Sequence, residues 1–332
     1  MLFVYFFALI SLAAAAAVPY ENSSNACQNP TKRVEWRQLK DADKQSYIDA
    51  VKCLKTKKSR LGLETSLYDD FAYVHFQYNP SIHFVAAFLP WHRYFTHVYE
   101  GALRECGYTG YATYWDWTKD VKKLTKSPVM SSKLGFGGDG SDTRTENIYG
   151  TIRCVTNGPF STLRPSYYGL SARVREYIPH CLHRRVTDGQ TSGSIDLAEL
   201  YNGTNVAIVQ EDTNFLTYHQ ALEQGPHQAI HTAIGGEMNP ATSPNGKLYL
   251  TFWRRIHPIF FLHHTQVDRL WWQWQQANPK TRLREYSGVT RSLDGKNGEA
   301  ALTDLLLMDR LAKNITVSEA MSTRNGPFCY TY

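Results

Sequence analysis

Apolar residues early in the chain recur three and four positions apart. Val34, Leu39, Tyr47, Ile48, Val51 and Leu54 form one such stripe, and Asp41 can cap its second part. Tyr68 to His75 predicts a short second helix that Asn79-Pro80 breaks. Pro90 opens a third, with His92, Phe95, Tyr99 and Leu103 on one stripe and Gly107 beyond its end. Asp196 to Asn202 and Asn214 to Glu223 predict short helical pieces. They lead into Glu223 to His231, which reads EQGPHQAIH. Pro226 suits a helix start there, because the N–H it lacks would have no partner anyway, and Gly235-Gly236 stop the helix. Phe260 to Gln276 predicts a strong helix, with Val267, Leu270, Trp271 and Trp274 at helical spacing. Lys119 to Gly169 is rich in Gly, Ser, Thr and Pro and predicts long loops over the core. Gly235 to Pro258 and Gly288 to Lys313 also read as loops, the latter with an apolar run at Leu302 to Met308. Phe328 to Tyr332 reads as extended. With no internal repeat and no linker, the expectation is one mainly helical domain.

The chain has 332 residues, 42% hydrophobic and 13% aromatic, enough to bury a sizeable core and to exclude general disorder. Met1 to Ala17 is apolar, ends in small residues and reads as a secretory signal cut near Ala17-Val18. It is short for a membrane span and lacks a basic stop flank. The expectation is therefore a signal peptide at 1–17, a secreted domain at 18–332 and no membrane association after cleavage. The net charge of +6 is scattered. Its densest group, Lys52, Lys55, Lys57, Lys58 and Arg60, reads as a solvated helix end, so nucleic acid is not an expected partner. The six cysteines never take CxxC spacing. In a secreted chain they predict disulfides whose pairing the sequence leaves open. Asn22, Asn202 and Asn314 are N-glycan acceptors.

Candidate chemistry lies in the 12 histidines. His227 and His231 are four apart, so a helix stacks them on one face where both can grip one ion. With one of the adjacent His263 and His264 they make a triplet. His75, His83 and His92 make another. Phe76, Phe84, Phe88, Trp91 and Phe95 surround the first, and Phe260, Phe261 and Trp271 the second. Imidazoles in an apolar shell suit copper or zinc, and three per ion leave a position open for a small molecule. His180 and His183 form an HxxH without evident partners and read as surface or structural. His97 points away from the His92 stripe.

FLPWHRYFTHVYEGALREC, GYATYWDW, GPHQAIHTAIGGEM and PIFFLHHTQVDRLWWQWQ carry a resemblance over nearly all of Cys27 to Tyr332. The chain resembles the type-3 copper proteins, the tyrosinases and catechol oxidases, in their short secreted fungal-type form. The resemblance implies a four-helix-bundle core, long loops, few short strands and two copper ions. It assigns the copper ligands as His75, His83, His92, His227, His231 and His264, with His263 packing beside its neighbour. It implies oxidation of o-diphenols to o-quinones by O2, with monophenol hydroxylation in tyrosinases. Oxidation of o-aminophenols, oxygen binding without turnover and an inactive copper protein are the alternatives. By the same resemblance Glu223 orders a water and helps deprotonate a phenol. Phe260 packs over the copper pocket, as Phe88 does from the first triplet, and Asp268 orients ligand imidazoles. The terminal Tyr-x-Tyr resembles the motif that closes the catalytic domain, so no shielding domain is expected.

Three positions depart from the family. Ser81 stands where many relatives have a cysteine joined by a thioether to a histidine. Gln228 follows His227 where efficient tyrosinases have Asn, which favours diphenol oxidation over monophenol hydroxylation. Gly246 to His257 reads as an insert, either a retained intron or a loop lining the substrate entrance, with His257 in the place of an Asp.

Overall fold

The computed structural model describes residues 27–171, 174–188, 196–238 and 257–332. The signal at Met1–Ala17, the acceptor Asn22 and the insert up to position 256 lie outside the described residues.

Helix α1 (Asp41–Leu54) buries the expected stripe of Tyr47, Ile48, Val51 and Leu54, and Asp41 and Asp43 in its first turn complement the helix dipole. Helix α2 (Leu67–Ile82) starts on a Ser66–Asp69 capping box. It corrects the expected break at Asn79-Pro80: the helix runs through Pro80 to Ile82. The proline falls in the final turn, where it removes a single ladder bond, and the burial of Asn79 and Ile82 favours completing that turn. Helix α3 (Phe88–Glu105) has the expected stripe on its buried face.

Asp196, Asn202 and Asn214 cap α4 (Leu197–Tyr201), α5 (Gly203–Gln210) and α6 (Phe215–Leu222). Helix α5 has no counterpart among the expectations. Its apolar Val206 and Val209 are buried while Ile208 is exposed, so the apolar residues mark no single face. Pro226 does not open a helix; it sits inside a wide π-type turn, Glu223–His227, and α7 (Gln228–Ile234) follows it. Gly225 takes φ −91° and ψ −107° in that turn, and Gly235 ends α7 at φ 63°. Helix α8 (Pro258–Ala277) is buried along most of its length.

Helices α3 and α8 run antiparallel. His92 and Arg93 meet His264 and Asp268, and the later Tyr99 meets the earlier Phe261, so the two helices run in opposite directions. Helices α2, α3, α7 and α8 surround a common interior that holds the histidines. The fold is mainly α, as expected.

Strands are few and short. The expected loop at Lys119 to Gly169 contains a hairpin, Gly140–Asn147 with Thr151–Val155. Val289–Arg291 pairs with Asn297–Glu299. The extended C-terminus pairs in parallel with the start of the described chain, Thr31 with Tyr330 and Lys32 with Thr331. The disulfides are Cys27–Cys329, Cys53–Cys106 and Cys154–Cys181. Among the described residues no helix is long and apolar enough to cross a membrane.

Candidate metal centre

All six expected ligands are buried. His75 lies on α2, His83 closes it, His92 lies on α3, His227 ends the wide turn, His231 lies on α7 and His264 on α8. Four of them turn Nδ1 toward a backbone carbonyl: His83 toward Asn79 (3.1 Å), His92 toward Phe88 (2.8 Å), His227 toward Glu223 (2.9 Å) and His231 toward Met238 (2.8 Å). A carbonyl only accepts, so Nδ1 carries the proton and Nε2 presents a lone pair. His75 Nε2 lies 3.3 Å from His92 Nε2, and His231 Nε2 lies 3.4 Å from His264 Nε2. In each pair at least one nitrogen, on His92 and on His231, presents its lone pair toward the partner ring, where a cation could also be held. The donor atoms within each histidine group lie within 4.8 Å of one another. Burial, then the neighbouring imidazoles, hold His264 well below the usual histidine range, so it is neutral and able to ligate. These residues fit a pair of copper ions, one per triplet.

Phe88 and Phe260 pack against both triplets. The Phe88 ring lies 5.0 Å from His92 and 4.7 Å from His227. Phe260 lies 4.9 Å from His75 and 4.1 Å from His264. His263 joins the second group, its ring 5.2 Å from His227 and nearly parallel to it. Gln228 is half-buried at the first position of α7.

Glu223 is fully buried and binds across the two triplets. Both its carboxylate oxygens accept from the Phe84 N–H, at 2.9 and 3.0 Å, while its carbonyl accepts from His227. It therefore ties the turn after His83 to the turn before His227. Nothing in the sequence marks Phe84 as that partner.

Asp268 lies one helical turn after His264 on α8. Its carboxylate accepts from Arg93 (2.5 Å), Arg33 (3.2 Å), Tyr330 (2.6 Å) and Tyr332. These bonds tie α3 and α8 to both ends of the described chain. Burial alone would raise its pKa, but the two guanidinium groups and two tyrosine hydroxyls hold it below the usual carboxylate range. Sequence spacing cannot show these contacts, because the partners lie 62 or more positions away.

His257 caps α8. Its Nδ1 lies 3.0 Å from the Ile259 N–H, and its Nε2 lies 2.7 Å from Nε of the buried Arg184. A cavity of about 530 Å³ lies behind the His83 loop, lined by Ser81, Ile82, Trp91 and Leu293 among others. None of the six expected ligands is among its described lining residues.

Residues 65–277 match the family model described as the common central domain of tyrosinase. The chain is 38% identical over 307 residues to tyrosinase ustQ of Aspergillus flavus, covering 92% of this chain and 80% of that protein. It is 38% identical over 314 residues to the tyrosinase-like protein phomQ2 of Diaporthe leptostromiformis, covering 94% of this chain and 75% of that protein. Among solved structures it resembles a variant polyphenol oxidase from Thermothelomyces thermophila, with a TM-score of 0.69 and 29% identity over 91% of this chain and 88% of that one.

Proposed function

The chain belongs to the tyrosinase family, and from that premise we propose that it is a secreted dicopper oxidase acting on o-diphenols. His75, His83 and His92 would hold one copper ion, and His227, His231 and His264 the other. When bound, the copper pair supplies the redox capacity for one O2 to oxidise two diphenols, giving two o-quinones and two waters. The observation that carries the reading is the convergence of buried imidazole lone pairs from four separate helical elements.

The protein's own groups do the rest. Phe88 and Phe260 keep the space between the triplets dry and offer aromatic edges to a phenol ring. Glu223 holds the His83 turn. Its carboxylate is buried beside both triplets, which suits it to accept a phenolic proton. Gln228, longer and less fixed than Asn, supports diphenol oxidation over monophenol hydroxylation. Secretion is supported by the apolar stretch at Met1 to Ala17 and by the pairing of every cysteine in a disulfide.

Oxygen uptake with a simple catechol and its parent monophenol tests the reading. The expected result is one O2 per two catechols, with the monophenol slower and showing a lag. Catechol left untouched by protein holding both coppers would remove diphenol oxidation. A monophenol oxidised as fast as its catechol, without lag, would remove the role given to Gln228.

A further inference from the structure

The geometry points to a second, mononuclear metal site formed by His180, His183 and Glu237, suited to zinc or a similar divalent ion and separate from the copper ligands. All three side chains are buried, and their donor atoms lie within 4.8 Å of one another. His180 Nδ1 lies 2.6 Å from the Ile178 carbonyl, which places a proton on Nδ1 and turns Nε2 toward Glu237. That nitrogen lies 2.7 Å from Glu237 Oε1. His183 Nδ1 reaches the same oxygen at 2.6 Å without hydrogen-bond geometry. Two imidazole nitrogens converging on one buried carboxylate oxygen form a donor set that suits a divalent ion, with a proton on the imidazoles as the competing occupant. Opening these contacts by roughly 0.7 Å would set the three donors around an ion at about 2.0–2.2 Å, with a fourth position open.

The frame around the site is built for this approach. Cys181, between the two histidines, is bonded to Cys154 in the hairpin. Leu182 O accepts from Val155 N (2.8 Å), and Thr187 N donates to Ala233 O at the end of α7 (2.9 Å). Gly235 and Gly236 both take positive φ, 63° and 55°. A Cβ on Gly236 would lie 2.2 Å from His183 O, and one on Gly235 would lie 2.5 Å from Arg185 O. Only glycine lets this turn close on the histidine segment, where Glu237 N bonds His183 O at 3.2 Å. The HxxH spacing alone gives no partner; the turn supplies Glu237 from 54 positions beyond His183 (237 minus 183). The side chain of His183 is 10% exposed and gives an ion its way in. The next carbonyl, Met238 O, accepts from His231, so the site lies beside the copper ligands without sharing one of them.

The test uses the full-length holoprotein, incubated with one equivalent of zinc, desalted and analysed for both metals. The expected result is one retained zinc beside the copper. His183→Gln and Glu237→Gln should each lose the zinc and keep the copper. Wild-type protein that retains no zinc overturns the proposal and leaves a proton shared in the cluster. Zinc held with a matching loss of copper, or held equally by the variants, overturns it as well. If Glu237→Gln fails to fold, the wild-type titration and His183→Gln at the rim still decide.

Discussion

Phe84 is a non-glycine residue at φ 56°, in the left-handed region that costs on the order of 1 kcal/mol or more for a bulky side chain. Glu223 holds it there through both carboxylate oxygens. Because Phe84 directly follows His83, that clamp sets where the ligand points. Two substitutions separate the clamp from a proton-accepting role. Glu223→Ala removes every acceptor and should cost about 1–3 kcal/mol. It should also lower the copper content as His83 loosens. Glu223→Gln keeps one acceptor oxygen and should keep both coppers, while catechol turnover falls on the order of 100-fold through loss of the base. Metal analysis beside oxygen uptake reads both. Two variants indistinguishable from wild type would contradict both roles. The two histidine groups were legible in the sequence from their spacing, aromatic setting and family resemblance, although His263 joins the second group as well. The clamp was not, since its donor is a backbone N–H, which leaves no trace in residue type.

Helix α8 begins on an imidazole that faces two donors. His257 is buried, and burial, then the Arg184 charge, hold it neutral. A neutral imidazole has one lone pair to offer both the Ile259 N–H and Arg184. Burial pushes the Arg184 guanidinium itself down to about 9, and its other partners include the carbonyls of Phe136 (2.6 Å) and Gly138 (2.7 Å). A carboxylate at this cap would answer the helix dipole and the buried cation together. His257→Asp should therefore stabilise the protein by about 1–2 kcal/mol, read as a rise of a few degrees in Tm. A lower Tm would contradict this account of the cap. The helices with one apolar stripe, α1, α3 and α8, were legible from spacing. Helix α5 was not, because its apolar residues lie on more than one face. Nor was the passage of α2 through Pro80, because a local breaker is overridden where tertiary burial completes the turn.

The described chain is tied together at its two ends. Cys27–Cys329 joins positions 302 apart, and the first and last described strands pair beside it. Asp268, Arg33 and Arg93 lock those ends to α3 and α8, with Arg33 over Tyr330 at 3.5 Å and Arg93 over Trp271 at 3.7 Å. The terminal Tyr-x-Tyr was legible as a motif, but its contact with Asp268 needed the folded chain. This closure holds four helices in register so that two triplets of imidazoles meet across one dry space. That both triplets assemble is the central claim, and copper content per chain of the purified, copper-loaded protein tests it most directly. The account predicts two coppers per chain, falling toward one in His92→Ala. One copper or none in the wild-type protein would contradict it.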